Sequence, residues 1–278
     1  MASGNLRAWL DGEREKLVWI EFDEYAHKVF AGQSEDWLRV ANVFVSGVGQ
    51  ALAVIKTDVL SIDLLAPLLQ EELTADLSPA ERVQALLQLQ PAKEFIAQVI
   101  DALAHRFGDQ MDIVLKLPTP AQLLRRAGAE GEISFDDLDD VGIGLSNLVR
   151  EFSSKPIAAL LIASADLIGT EEAEALGSVT SAARHYGWSV GVSFDAQASV
   201  PDGAANLDAD VVLFPNIANL ETPNFATLSV PTGGGLVASF WQGGSEIIAT
   251  SRRVALYGKI PADAQPEQVL ARISIAHL

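Results

Sequence analysis

The chain alternates short, almost purely apolar runs with longer stretches whose apolar residues recur at helical spacing. Residues 17–22 (LVWIEF), 58–63 (DVLSID), 112–117 (DIVLKL), 157–164 (IAALLIAS), 188–194 (WSVGVSF), 210–214 (DVVLF) and 253–257 (RVALY) all have strand length. Their nearly continuous hydrophobicity is that of parallel strands covered on both faces. Helices are expected between them. Ser34 reads as the N-cap of a helix running to about Lys56, with Val40, Phe44, Val48 and Leu52 on its apolar face. Ser78-Pro79-Ala80-Glu81 combines a cap, a first-turn proline and an acid, and Gln90-Pro91 starts a second helix ending near Phe107. Further helices are expected from Pro120, over 135–152 behind Ser134 and Asp137, over 170–186 behind Thr170, and over 266–276.

Strands alternating with helices over 278 residues predict one (β/α)8 TIM-type barrel spanning 1–278, its last βα unit either regular or incomplete and altered. Residues 221–244 fit this pattern least. Two apolar runs flank Pro231-Thr232-Gly233-Gly234-Gly235, which reads as a hairpin or as strand–turn–helix, and a glycine-hinged lid is one use for it.

Composition narrows the function. Hydrophobic residues make up 49% and charged residues 20%, which excludes global disorder. A net charge of -18 argues against a general nucleic-acid or anionic-membrane binder, since both need clustered Lys and Arg. With no cysteine, there is neither a disulfide nor a thiolate metal ligand. No apolar run reaches the ~20 residues of a membrane helix, and residues 1–11 do not resemble a signal peptide. A cytoplasmic protein acting on a small molecule is the expectation, alone, as a homo-oligomer or beside a partner subunit.

In a parallel barrel, ligands bind at the carboxyl ends of the strands. Glu21, Asp23, Asp63, Asp166 and Asp195 all fall there, and grouped carboxylates push one another's pKa values apart to give an acid and a base. The competing reading for each is a turn or cap residue. Lys116 lies in an apolar strand. Pointing inward, it could pair with a substrate carboxylate, act as a base or form a Schiff base; pointing outward, it would lie between helices. The expected catalytic set is Lys116, Asp166, Asp195 and Glu21. Asp63, Thr119, Gln122, Ser193, Asn216 and Trp19 are expected to contact substrate. No cofactor is expected, and Glu21, His27 and Asp63 form the ligand set if a metal is used.

Ile113–Pro120 (IVLKLPTP) followed by Leu123-Leu124 resembles a strand-plus-PgP segment of the uroporphyrinogen decarboxylase and cobalamin-independent methionine synthase superfamily. Residues 254–273 (VALYGKIPADAQPEQVLARI) resemble a late segment of the same superfamily. The resemblance implies a TIM barrel and either decarboxylation or alkyl transfer. It also places Gly191 and Ser193 where zinc-dependent members carry a His-x-Cys pair, so zinc-thiolate methyl transfer is not expected. The amino-terminal arginine signature of the decarboxylases is missing as well, Arg14 lying ahead of the first strand. The resulting expectation is a metal-independent lyase or decarboxylase acting on a small organic acid. The alternatives are an alkyl transferase with non-thiolate ligands and a non-catalytic partner subunit.

Overall fold

Side-chain parity decides what each strand contributes. In β1 (Leu17–Glu21) and β2 (Val59–Asp63), odd-numbered residues point into a barrel and even-numbered ones lie beneath helices. The computed structural model describes residues 4–70, 76–196, 208–221, 228–244 and 253–277. Within them, β3 (Asp112–Pro118), β4 (Ala159–Ser164), β5 (Ser189–Phe194), β6 (Val211–Phe214), β7 (Thr232–Leu236) and β8 (Ala255–Lys259) complete a closed, all-parallel barrel in chain order. The interior holds Leu17, Trp19, Val59, Val114, Leu161, Leu213, Ala255 and Tyr257. Trp19 and Tyr257, paired in register, meet edge to face at 5.7 Å.

The amino-terminal end of the barrel is stoppered. Leu6 and Trp9 of α1 (Asn5–Leu10) join the interior cluster, and Asp112 accepts the Leu6 N–H at 2.6 Å. Arg14 fastens this end by donating to the Lys16 carbonyl, Asn5 and Asp58 at 2.6–2.7 Å. Its role in this fold is therefore structural.

The outer helices largely follow the sequence signals. Ser78 and Glu81 form a complete capping box at the start of α4 (Pro79–Leu87). The helix α5 spans Gln90–Phe107, Thr119 caps α6 (Pro120–Arg126), Ser134 caps α7 (Phe135–Glu151), and α11 is Pro266–Ala276.

Three expectations are corrected, and one alternative is decided. A short helix, α2 (Asp23–Val29), follows β1, and α3 (Ala41–Leu52) begins well after Ser34, whose hydroxyl instead accepts the Asp36 N–H within a run of turns. The helix expected over 170–186 is two, α8 (Thr170–Ala175) and α9 (Gly177–His185), and Gly169 rather than Thr170 stands at the cap. Next, the glycine run is neither a hairpin turn nor a lid hinge but strand β7. Between β6 and β8 there is little room for side chains: a Cβ on Gly233 would meet Leu213 at 2.7 Å and Ala255 at 2.9 Å, and one on Gly234 the Phe214 carbonyl at 2.8 Å. Part of the 221–244 segment, residues 222–227, lies outside the described residues, and the described remainder ends in α10 (Ala238–Trp241). Finally, the last βα unit is intact: β8 pairs with both β7 and β1, and α11 follows it.

Candidate active site

Strand register delivers the charged residues. Glu21 pairs in register with Lys259 across β1 and β8, and Asp63 with Lys116 across β2 and β3. All four side chains follow the inward parity, so they form a ring above the aromatic interior. There they line a cavity of about 480 Å³ at the carboxyl-terminal mouth, joined by Asp23, His27, Asp195 and Asn216.

Glu21 is the hub. Its side chain is 7% exposed and accepts from Lys116 Nζ at 2.6 Å and from the Tyr257 hydroxyl at 2.7 Å, with Lys259 Nζ at 3.7 Å. Burial works to raise its pKa, but Lys116, Lys259 and the two hydrogen bonds prevail and hold it below the usual carboxylate range. Glu21 is therefore ionised. Burial would likewise lower the Lys116 pKa, yet Glu21, Asp195 and Asp63 push it above that of a free lysine. Held as an ammonium, Lys116 is suited to pairing with negative charge. Burial, then Glu21 and Asp195, push the Tyr257 phenol well above its ordinary value, so it remains a proton-bearing donor.

Asp195 continues the network. Its carboxylate receives Lys259 Nζ at 2.5 Å and the Ser193 hydroxyl at 3.0 Å, while the Asn216 amide donates to its carbonyl. Asp63 uses Oδ1 to accept the Leu65 and Ala66 N–H groups at 2.8 and 3.0 Å, a turn that also fixes its direction. Asp23, half-buried at the first position of α2, behaves oppositely to Glu21. Burial, then the nearby charges of Glu21 and Asp63, outweigh Lys116 and raise its pKa to about 7. The pKa values of two carboxyls two residues apart are thus pushed in opposite directions, the pattern of an acid–base pair.

Of the sequence-derived candidates, Glu21, Asp63, Lys116, Asp195 and Asn216 come together, and buried Ser193 supports Asp195 from below. The others do not join them. Asp166 is exposed beyond the end of β4, its carbonyl held by the Ser164 hydroxyl at 2.7 Å, and it does not line the cavity. Trp19 lies one interior layer below Glu21, fully buried, donating to Ser61 at 2.8 Å. Thr119 is buried as a helix cap. The Gln122 amide, oriented to satisfy both neighbours, donates to the Ala163 carbonyl at 2.9 Å and accepts the Ala165 N–H at 2.6 Å.

The alternative metal set does not assemble either. Glu21 is committed to Lys116 and Tyr257, Asp63 to backbone N–H groups, and His27 Nε2 lies 3.0 Å from the Ser34 carbonyl. Among the described residues, no three His, Asp or Glu side chains are placed to hold a metal ion. Lys259 and Tyr257 were missed because their significance depends on β8 closing against β1, a contact spanning the chain. A signal did exist: in RVALYGK, alternate residues from Ala255 lead to Tyr257 and Lys259 on one face.

The second part of the cavity is apolar. There His27 stacks on Trp37 at 5.2 Å, Trp37 lies 4.6 Å from Phe44, and Phe44 meets Phe95 edge-on at 6.0 Å. These residues come from α2, α3, α5 and the turns before α3, not from the strands.

Among the described residues no helix is long and apolar enough to cross a membrane. Compared by sequence, the chain matches no family profile and no curated protein. Compared by structure, it is similar to a methyltransferase from Methanosarcina mazei, with a TM-score of 0.68 and 10% identity over 98% of this chain and 96% of that one. It is also similar to the carboxyl transferase domain of Rhizobium etli pyruvate carboxylase, with a TM-score of 0.51 and 11% identity over 97% of this chain and 47% of that one. At such identities the likeness is one of fold: the chain is a TIM barrel, closed by eight strands and built like barrels that serve as enzymes.

Proposed function

We propose that the barrel is an enzyme acting on a small organic acid by acid–base and electrostatic catalysis, as a lyase or decarboxylase. Membership of the uroporphyrinogen decarboxylase and methionine synthase superfamily, with its zinc motif lost, is part of the same reading. The observation that carries it is the opposed pair of carboxyls, Glu21 held ionised and Asp23 raised to about 7, beside two lysines at the mouth of the barrel. Lys259, the more exposed cation at 35%, receives the substrate carboxylate in exchange for Asp195. Lys116, fixed by Glu21, stabilises negative charge as it develops on the substrate. In a decarboxylation the C–C bond breaks, carbon dioxide leaves, and the electron pair left on carbon takes a proton from Asp23. Glu21 is a positioning residue, since both of its oxygens are already engaged.

The test is direct. The purified chain is incubated with a panel of keto, hydroxy and dicarboxylic acids in D2O, and proton NMR follows deuterium incorporation and loss of substrate. Turnover of at least one acid that Asp23→Asn reduces by about a hundredfold or more supports the reading. Turnover untouched by Asp23→Asn and by Lys116→Met overturns it.

A second reading, alkyl transfer, draws on the overall likeness to the Methanosarcina mazei methyltransferase. Without cysteine, its ligands for any metal would have to be oxygen or nitrogen atoms. Methyl transfer from a methyl donor to an acid or amine, lost on chelation, would favour it over lyase chemistry.

A further inference from the structure

The mouth of the barrel is too large and too one-sided for a three- or four-carbon acid alone. At about 480 Å³ it falls in the range of ~300–1,000 Å³ that holds drug-sized ligands. Its charged groups are the ring of strand ends with Asp23 and Glu24 at the start of α2, while Trp37, Leu38, Phe44, Phe95, Ile96 and Val99 supply an apolar wall. In that wall, Trp37 carries the only side-chain N–H among those six residues. The polar edge of neighbouring His27 is turned to the Ser34 carbonyl.

We propose that the substrate is an aryl-bearing carboxylic acid, its carboxylate at Lys259 and its ring against Trp37, Phe44 and Phe95. The inference rests on the reading of the mouth as the site for an organic acid, and names the class of acid. Two observations select a ring over a linear chain. The wall is already a relay of rings in stacked, tilted and edge-to-face contact, at 5.2, 4.6 and 6.0 Å. A further ring continues that geometry, gaining quadrupole complementarity that an alkyl chain lacks. The wall is also continuous with the charged ring through Phe22 and Ile62, which sit beside Glu21 and Asp63, so one rigid molecule can reach both.

Calorimetry on the full chain with 3-phenylpropanoate, propanoate, succinate and octanoate tests the proposal. The expected result is that the aryl acid binds about tenfold or more tightly than each of the others. Trp37→Leu should reduce the ratio of aryl to alkyl affinity about threefold or more, while Lys259→Met should weaken every acid. Circular dichroism checks that the variants fold, and Phe95→Leu on α5 supplies the same ratio if Trp37→Leu does not. Equal or weaker binding of the aryl acid, binding of none of the four, or a ratio unmoved by both wall variants overturns the proposal. Failure here is distinguishable from failure of the catalytic reading. Tight aryl-acid binding without turnover of any acid sinks only the chemistry; turnover of alkyl acids with aryl acids excluded sinks only the aryl assignment.

Discussion

Replacing Lys116 by methionine removes the closest partner of a buried carboxylate while keeping most of the stem's volume. Glu21 is 7% exposed and Lys116 15%, and they meet at 2.6 Å, so the pair is largely outside water. Removing one partner of such a pair costs about 3–5 kcal/mol, because the other charge is left buried and uncompensated. Glu21 keeps the Tyr257 hydroxyl at 2.7 Å and Lys259 at 3.7 Å, which places the loss at the lower end, about 3 kcal/mol. For a chain of this size that corresponds to a fall in Tm of roughly 5 °C.

The pH dependence carries a sign. In the native chain the folded-state pKa of Glu21 is depressed, so its contribution is present above the unfolded value and lost as pH falls through the folded one. Without Lys116, the burial that already works to raise that pKa is expected to prevail, so that the carboxyl titrates above its unfolded value. The deficit of Lys116→Met is then largest at pH 7 and shrinks as pH falls toward 5. Urea denaturation followed by circular dichroism at both pH values measures it. The double variant Lys116→Met with Glu21→Gln, having no buried charge to strand, should recover about 2 kcal/mol of the loss. A deficit below about 1 kcal/mol at pH 7, or no recovery in the double variant, would refute the account of Glu21 as a buried hub.

Other predictions follow from the same contacts. Because the folded-state pKa of Asp23 is raised to about 7, well above that of an ordinary aspartate, this group makes stability fall as pH rises from about 4 to 7; Asp23→Asn should remove that slope from a pH series of urea midpoints. In pH–rate profiles the same variant should lose a limb near pH 7. Gly258→Ala would press its new Cβ into the Leu236 carbonyl between β7 and β8, costing about 1–3 kcal/mol or more by chemical denaturation. Ser78→Ala breaks the capping box of α4 far from the mouth, so it should cost about 1 kcal/mol in the same assay and leave ligand affinity unchanged.

The strands were legible because each is a short apolar run, buried on one face in the barrel interior and on the other beneath helices. The exception is β7, where Thr-Gly-Gly-Gly-Leu offers neither alternation nor β-branched bulk, and where glycine, ordinarily a turn signal, serves close strand packing. The helix α2 escaped notice because Phe22 at its cap is no capping residue and its seven residues leave too short a period to read. That omission left Asp23 read as a strand-end carboxylate, whereas its placement depends on a helix beginning directly after β1. Parity within a strand was the missing argument for Trp19: sharing a face with Glu21, two residues short of the strand end, it belongs to the packed interior. Asp166 failed for a related reason, because β4 ends at Ser164 and the next residues turn outward.

The two halves of the mouth are carried by different parts of the chain. The charged ring stands on strand ends locked by barrel register, and Tyr257 ties Glu21 to the aromatic interior, so a change there disturbs folding as well as chemistry. The apolar half is built by α2, α3, α5 and the turns around Trp37, outside the barrel wall. Mutational drift can therefore reshape which tail is accepted while the proton-handling centre stays intact. Under selection, substrate range and reaction type could thus diverge separately, and a library confined to Trp37, Leu38, Phe44 and Phe95 would sample the first without touching the charged ring, at a cost in core packing that size-conserving replacements would limit.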